Sequence, residues 1–109
     1  MTDDRAYVLH IHDALERIRK YAAEGRAHFL HDTKTQDAII RNLEVVGEAA
    51  KNVSPKTRAA WPDIPWKRMG GMRDLLIHHY FGIKLDTVWE VVEQEVPRLA
   101  EMIDGVLGT

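Results

Sequence analysis

The sequence predicts an all-α fold, a small bundle of four or five helices. Apolar residues recur at intervals of three and four along most of the chain, and no alternating run of β-branched residues is long enough for a strand. The 109 residues include only four prolines and seven glycines, which leaves room for long helices. A chain of this length is expected to form one domain, spanning residues 1–109.

Two long amphipathic helices are predicted in the first half of the sequence. The first starts at Asp3 or Asp4, which are common N-cap residues, and stops at Gly25. The second follows residues 32–35, which offer several N-caps, and stops at the Ser54-Pro55 pair. Their apolar stripes are Val8, Ile11, Leu15, Ile18 and Ala22 in the first helix, and Ile39, Leu43, Val46, Ala49 or Ala50, and Val53 in the second.

Two stretches are predicted to connect the helices. Residues 54–66 contain three prolines, so we expect a connector with at most one short helical turn, around residues 56–60. The stretch between the two long helices belongs either to a helix end or to a packed connection, and its apolar residues are Ala27, Phe29 and Leu30.

Two further helical segments are predicted in the second half. Gly70 and Gly71 are expected to permit a tight entry of the chain into a short third segment, residues 72–81. A fourth helix is expected to be capped by Asp86. Pro97 lies inside the apolar pattern of that helix, so it must kink the helix or split it just before the proline.

The charge of the chain is divided into three blocks. Fifteen Lys and Arg against 17 Asp and Glu give a net charge of −2. Residues 1–50 contribute −2, residues 51–85 contribute +5 and residues 86–109 contribute −5. The middle block indicates a local basic surface for an anionic partner; the alternative is a solvated surface whose charges cancel in three dimensions.

The composition excludes several classes of protein. The absence of Cys removes disulfide scaffolds, thiolate zinc sites and cysteine nucleophiles, and it fits a reducing compartment. No apolar run is long enough to span a bilayer, and the acidic first residues lack the apolar core of a signal peptide. We therefore expect a cytoplasmic protein without a membrane segment.

The segment RDLLIHHY concentrates polar groups that are suited to chemistry. Arg73 offers a planar set of donors for a phosphodiester, and His78 is suited to proton transfer near neutral pH. The phenol of Tyr80 can donate a hydrogen bond or accept a transferred group. Metal-free cleavage of RNA needs these groups. The structural alternative makes His79 a helix-end cap and Asp74 the partner of Arg73.

Helical geometry constrains this prediction. Arg73 and Tyr80 are seven residues apart and share one face of a helix, whereas His78 points roughly 140° away from Arg73 at 3.6 residues per turn. One straight helix therefore cannot aim Arg73 and His78 at the same phosphate. Either the helix ends or bends within the segment, or a second copy of the chain completes the site.

Several other residues have two interpretations each. Lys67 and Arg68 are candidates for contacts with an RNA backbone, or are simply solvated cations. His28, His31 and Asp32 have a spacing found in metal sites, but no third strong ligand is near them in the sequence, so no metal site is predicted. Three large aromatic residues either fill the core or anchor a dimer: Trp61, Trp66 and Trp89.

The spacing of Arg73, His78 and Tyr80 resembles the Arg-x4-His-x-Tyr signature of the HEPN superfamily. Three flanking stretches are similar to its HepT-like branch: residues 41–50, 65–73 and 80–89. The resemblance covers residues 14–99. One departure is Asp74, because this branch most often has Asn at that position.

The resemblance implies a dimeric α-helical ribonuclease that works without metal or cofactor, the toxin half of a two-gene, type VII-like toxin–antitoxin system. It implies that Arg73 grips the scissile phosphate and that His78 acts as general base or acid. It further implies a minimal nucleotidyltransferase antitoxin as partner, which silences the toxin by attaching AMP to Tyr80. Glu48, Asp74 and His79 are then expected to support the site, with Glu48 pairing with Arg73 or with a backbone group.

Two alternatives compete with the nuclease. The chain could instead be a non-catalytic helical partner that binds and supports a nucleotidyltransferase. A third option is a plain helical dimerisation domain, in which Arg73 and His78 stay far apart even in the dimer.

Overall fold

The structure is a computed structural model, and it describes residues 2–78 and 84–108. These ranges contain no strand, which confirms the prediction of an all-α fold. No helix within them is long and apolar enough to cross a membrane. The elements in chain order are α1 Thr2–Tyr21, a 3-10 turn Ala22–Glu24, α2 Arg26–His31, α3 Thr33–Asn52, α4 Pro55–Ala60, α5 Trp66–His78, α6 Leu85–Glu90, a π-helical turn Val91–Glu95 and α7 Val96–Leu107.

The core lies where α3 packs against α1 and α5, and α7 covers the other side of α1. Helices α1 and α3 run antiparallel, since Asp4 bonds Ser54 at one end and the Arg17 Nε donates to the Asn42 Oδ1 over 2.9 Å nearer the other. The predicted stripes of both helices are buried, except that Ala22 is only partly covered. Burial of these stripes is the main stabilising contribution to the bundle.

The ends of α3 follow the predicted residues, whereas the predicted N-cap of α1 is wrong because α1 begins at Thr2 and Asp3 and Asp4 lie inside it. The Asp32 carboxylate accepts from the Thr35 N–H over 3.1 Å and caps α3. Ser54 caps α4 in the same way through the Thr57 N–H, with Pro55 in the first turn. After α1, the 3-10 turn ends at Gly25, whose φ of 93° favours glycine.

The connection after Gly25 is a packed one. Residues 26–31 form the short helix α2, and Phe29 in it is fully buried. The Phe29 ring lies against Trp89 of α6, with ring centroids 5.4 Å apart. Trp66 and Trp89 are both buried and fill the core, whereas Trp61 is exposed.

The predicted start of the third segment is wrong. Helix α5 begins at Trp66, directly after Pro65, and runs through Gly70 and Gly71 without a break. The Met69 N–H donates to the Pro65 carbonyl over 3.0 Å, so the first turn is already closed before the glycine pair. The sequence predicts a helix boundary at Gly70 and Gly71 because two adjacent glycines are poor helix formers. Tertiary packing overrides that preference in the folded protein.

The predicted cap of the fourth helix is also wrong. Lys84 occupies the N-cap position of α6 and makes no capping bond through its side chain. Asp86 lies instead in the first turn, where its carboxylate accepts from the Arg26 Nη2 over 2.8 Å and links α6 to α2. An acid is favourable there because it faces the positive end of the helix dipole.

Pro97 splits the last helix as predicted. The chain forms a π-helical turn over Val91–Glu95, and α7 then starts at Val96 with Pro97 in its first turn. A proline lacks the N–H that a continuous helix would need, and the first turn of a new helix is the place that tolerates it.

Candidate functional site

Helices α3 and α5 approach each other at two glycines. A Cβ atom added to Gly47 of α3 would lie 2.2 Å from the Arg73 Cβ and 2.8 Å from the Met69 carbonyl oxygen. A Cβ added to Gly70 of α5 would lie 2.9 Å from the Lys51 Cγ. Each helix therefore offers a bare backbone where the other helix lays the stem of a cationic side chain.

The guanidinium of Arg73 lies between two carboxylates. Its Nη2 is 3.0 Å from the Glu48 Oε1, and its Nη1 is 3.3 Å from the Asp74 Oδ1. The Arg73 side chain is 29% exposed, so it is held on both sides yet open to solvent. The Glu48 contact is one of the two arrangements that the sequence predicted for that residue.

Asp74 joins Arg73 to a cation that the sequence did not single out. The Lys51 Nζ lies 2.5 Å from the Asp74 Oδ1, the same oxygen that Arg73 contacts. The hydrogen bond from Lys51, aided by the one from Arg73, holds the pKa of the Asp74 carboxyl below its usual value. The signal that could have found Lys51 is its position one helical turn after Gly47.

A groove of about 210 Å³ runs beside Arg73 along α1 and α3. Arg41 and Glu44 form a 3.7 Å ion pair in its wall, and the pair of Arg73 and Glu48 lines it as well. Its other lining residues are Tyr7, His10, Val45, Ala49 and Asn52. The groove thus combines aromatic edges with paired charges of both signs.

The predicted acid–base and modification residues are only partly described. His78 is the last residue of α5, and only its backbone is described. His79 and Tyr80 lie outside the described residues. Helix α5 continues unbroken from Arg73 to His78, so these two positions are about 140° apart around its axis.

The two RNA-backbone candidates of α5 are not brought next to Arg73. The Arg68 Nη2 is bound to the Glu95 Oε2 at 2.8 Å, against the π-helical turn. Lys67 is exposed and lines a shallow hollow with Arg58 and Arg68. Lys67 and Arg68 are six and five positions before Arg73, which puts both on other faces of α5.

The two histidines with metal-like spacing have separate partners. The His28 Nε2 is 3.1 Å from the Thr35 Oγ1, with Glu24 and Asp32 slightly farther away. The His31 Nδ1 contacts the Ala27 carbonyl at 2.9 Å instead. Within residues 2–78 and 84–108, no three His, Asp or Glu side chains are arranged to hold a metal ion.

The family described as ribonuclease HepT-like has a sequence model that matches residues 11–106, a range that contains Gly47, Glu48, Arg73 and His78. The chain belongs to the HepT-like family. This confirms the resemblance seen in the sequence and places the cluster around Arg73 within the matched range.

Relatives of this HepT-like chain are found in archaea and bacteria. A "Probable ribonuclease HepT" of Thermococcus cleftensis is 43% identical over 94 residues, which are 85% of this chain and 86% of that protein. A "Putative RNase" of Caldanaerobacter subterraneus subsp. tengcongensis is 35% identical over 111 residues, covering 98% of this chain and 96% of the relative. No solved structure matches the chain.

Some relatives are longer than the matched region. A "Gamma-glutamylcyclotransferase and putative RNase" of Methanocaldococcus jannaschii is 40% identical over 102 residues, which are 93% of this HepT-like chain but only 46% of that protein. A second Methanocaldococcus jannaschii relative is 47% identical, and the match spans 65% of its length. The chain therefore corresponds to a part of these two proteins.

Proposed function

We propose that this HepT-like chain is a metal-independent endoribonuclease, the toxin of a type VII-like toxin–antitoxin system, and that it cuts RNA in a cleft shared by two copies of the chain. The observation that carries the proposal is the environment of Arg73, in a chain that belongs to a ribonuclease family. Glu48 fixes one edge of the guanidinium at 3.0 Å, and the side chain remains open to solvent. A fixed, accessible guanidinium is suited to a phosphodiester.

The chemistry needs one proton removed and one delivered. The 2′-oxygen attacks the phosphorus as a base takes its proton, and the bond to the 5′-oxygen breaks as an acid supplies a proton to it. The products are a 2′,3′-cyclic phosphate and a 5′-hydroxyl. His78 is the group that moves protons, and Arg73 stabilises the charge that develops on the phosphorane.

The continuity of α5 supports a site built from two chains. The positions of Arg73 and His78 are about 140° apart around the axis of one unbroken helix, an arrangement that favours a site to which each copy contributes one of the two residues. A two-fold homodimer brings two copies of the segment together, so that Arg73 of one chain can work with His78 of the other. The course of α5 thus supports the proposed homodimer.

Regulation is proposed to act on Tyr80 through a minimal nucleotidyltransferase. The phenolic oxygen attacks the α-phosphorus of ATP, pyrophosphate leaves, and the phenolic proton is lost to solvent. The added phosphate repels RNA and the base fills the space near the cleft. Incubation with the antitoxin and ATP should raise the mass by one adenylate per step, and Tyr80→Phe should block each step. A mass gain that persists in that variant would exclude Tyr80 as the acceptor.

The nuclease is tested with purified, unmodified protein and a single-stranded RNA in the presence of a chelator. We expect cleavage by the parent and by His31→Ala, a surface histidine of α2, and none by His78→Ala. Size-exclusion chromatography should show the same dimer for all three proteins. Cleavage by His78→Ala at the parent rate would refute the proposal.

A second candidate is favoured by the two carboxylates around Arg73. Glu48 and Asp74 together neutralise the guanidinium and Lys51, which is unusual for a site that must attract phosphates. In this candidate the chain is a non-catalytic helical partner that binds and supports the nucleotidyltransferase. It predicts a tight complex with that enzyme and no RNA cleavage by any preparation of the unmodified parent.

A further inference from the structure

The side chain of Lys51 can lie along α5 because Gly70 has no side chain in its way. Gly70 offers no Cβ, and one placed there would come within 2.9 Å of the Lys51 Cγ and 3.5 Å of its Cε. The aliphatic stem of Lys51 therefore lies on the backbone of α5, and its ammonium reaches Asp74, one turn farther along that helix. The same packing of α3 against α5 thus positions Lys51 at Gly70 and Arg73 at Gly47.

One carboxylate oxygen is shared by the two cations. The Asp74 Oδ1 lies 2.5 Å from the Lys51 Nζ and 3.3 Å from the Arg73 Nη1. An anionic oxygen held between an ammonium and a guanidinium has the surroundings that a phosphate oxygen has in a nucleic-acid site. Asp74 thus occupies a place where a phosphate oxygen of a ligand would fit.

The ion pair of Lys51 and Asp74 is exposed enough for a ligand to replace one partner. Their side chains are 40% and 43% exposed, so water and ligands reach both of them. Ion pairs with this exposure contribute little to folding, and a ligand phosphate can replace the internal partner at little cost to the fold. Glu48 remains on the other side of Arg73 and keeps its guanidinium oriented.

We propose that Lys51 is a second phosphate-binding cation of the RNA site, and that Asp74 is an internal counter-ion that an RNA phosphate displaces from Lys51 and Arg73. This inference rests on the proposed function, because it takes RNA as the ligand. It adds a residue of α3 to a site that the sequence signature confines to α5 and the residues after it.

The test measures binding of a fluorescent single-stranded RNA by anisotropy at several KCl concentrations, in a His78→Ala background so that the RNA stays intact. Lys51→Met should weaken binding about fivefold and lower the salt slope by about 0.7, the value for one lost phosphate contact on a single strand. Lys51→Arg should retain both. Asp74→Asn should tighten binding, because the internal competitor loses its charge.

The matched controls use the same helices. Lys34→Met removes an exposed lysine at the opposite end of α3, about 25 Å away at 1.5 Å per residue, and should leave the salt slope unchanged. Gly70→Ala keeps every charge but pushes the stem of Lys51 aside, so it should weaken binding. Gly71→Ala meets open space and should not.

The outcomes separate this inference from the proposed function. If Lys51→Met binds RNA with the affinity and salt slope of its background, or if Asp74→Asn binds more weakly, the inference is overturned even where the parent cuts RNA. If the parent does not cut RNA but Lys51→Met still weakens binding and Lys34→Met does not, the nuclease fails and the inference holds. Thermal unfolding of each variant confirms that the comparison is between folded proteins.

Discussion

Arg73 packs its side-chain stem against the bare backbone of Gly47, so closely that a methyl group on Gly47 would lie 2.2 Å from the Arg73 Cβ. The next residue of α3 is Glu48, whose carboxylate reaches the Arg73 guanidinium at 3.0 Å. The contact at Gly47 therefore contributes both to the packing of α3 on α5 and to the orientation of the candidate phosphate-binding group. Stability and activity are expected to respond together at this position.

Gly47→Ala should destabilise the protein by about 2 kcal/mol, since the new methyl group would force two helix backbones apart. Gly71→Ala is the matched control, because a Cβ there meets nothing within 4 Å. Removing a glycine from a helix interior should stabilise that variant by about 0.5–1 kcal/mol. Urea denaturation of the two variants measures both changes. Equal effects of the two substitutions would show that the contact at Gly47 is not tight.

Glu48→Gln should lower the turnover of RNA about tenfold with little change in KM, because a guanidinium that loses its ionic partner is less precisely oriented toward the reacting phosphate. Glu44→Gln, one turn earlier on α3, removes the partner of Arg41 instead and serves as the control. Steady-state kinetics on a short RNA separates the two parameters. A normal turnover number for Glu48→Gln would leave Glu48 with a purely structural role.

Acid should weaken the contact between α1 and the start of α4. Hydrogen bonds from Ser54 and Thr57 hold the pKa of Asp4 below its usual value in the folded protein. A carboxyl with a depressed folded pKa contributes stability above its unfolded pKa of about 3.9, and that contribution is lost as the pH falls through the lower folded value. The difference in unfolding temperature between the parent and Asp4→Asn should therefore be largest near neutral pH and shrink below about pH 4.

Thr57→Val checks this interpretation of Asp4, because it removes one donor and leaves the carboxyl in place. The difference in unfolding temperature between the parent and Thr57→Val should follow the same pH profile as that of Asp4→Asn, with a smaller amplitude. A difference that stays constant from neutral to acid pH in both variants would mean that the Asp4 hydrogen bonds do not link protonation to folding.

Phe29→Ala should destabilise the protein by about 3–5 kcal/mol, since the ring is fully buried against Trp89 and leaves a cavity. Trp61→Ala removes a larger side chain that is 40% exposed, and should cost less than about 1 kcal/mol. Chemical denaturation compares the two. If Trp61→Ala lowered the free energy of unfolding as much as Phe29→Ala, Trp61 would instead belong to an interface with another chain.

The sequence predicted those elements whose local signals agree with their packing. The apolar stripes of α1 and α3 each extend over about four helical turns. Gly25, Asp32 and the Ser54-Pro55 pair predict the end of α1 and both ends of α3 to within a few residues, but not the start of α1 at Thr2. Pro97 marked the split before α7 because its effect on the backbone is local. The start of α5 was missed, since Gly70 is selected by a contact with Lys51 that is 19 positions away in the chain.

The sequence predicts those residues of the candidate site whose side-chain chemistry is itself distinctive. Arg73 stood out among polar neighbours, and Glu48 was expected near it. Lys51 was not found, since a lysine near the end of an amphipathic helix looks like any solvated cation until the fold places Asp74 beside it. The separation of Lys67 and Arg68 from Arg73 likewise follows from the unbroken course of α5, which begins earlier than its glycine pair suggested.

Whether Arg73 and His78 cut RNA without a metal is decided by the chemical identity of the RNA ends produced in the presence of a chelator. We expect a 2′,3′-cyclic phosphate and a 5′-hydroxyl, identified by mass spectrometry, with neither end formed by Arg73→Ala. A 3′-hydroxyl with a 5′-phosphate, or the same ends formed at the parent rate by Arg73→Ala, would contradict this expectation.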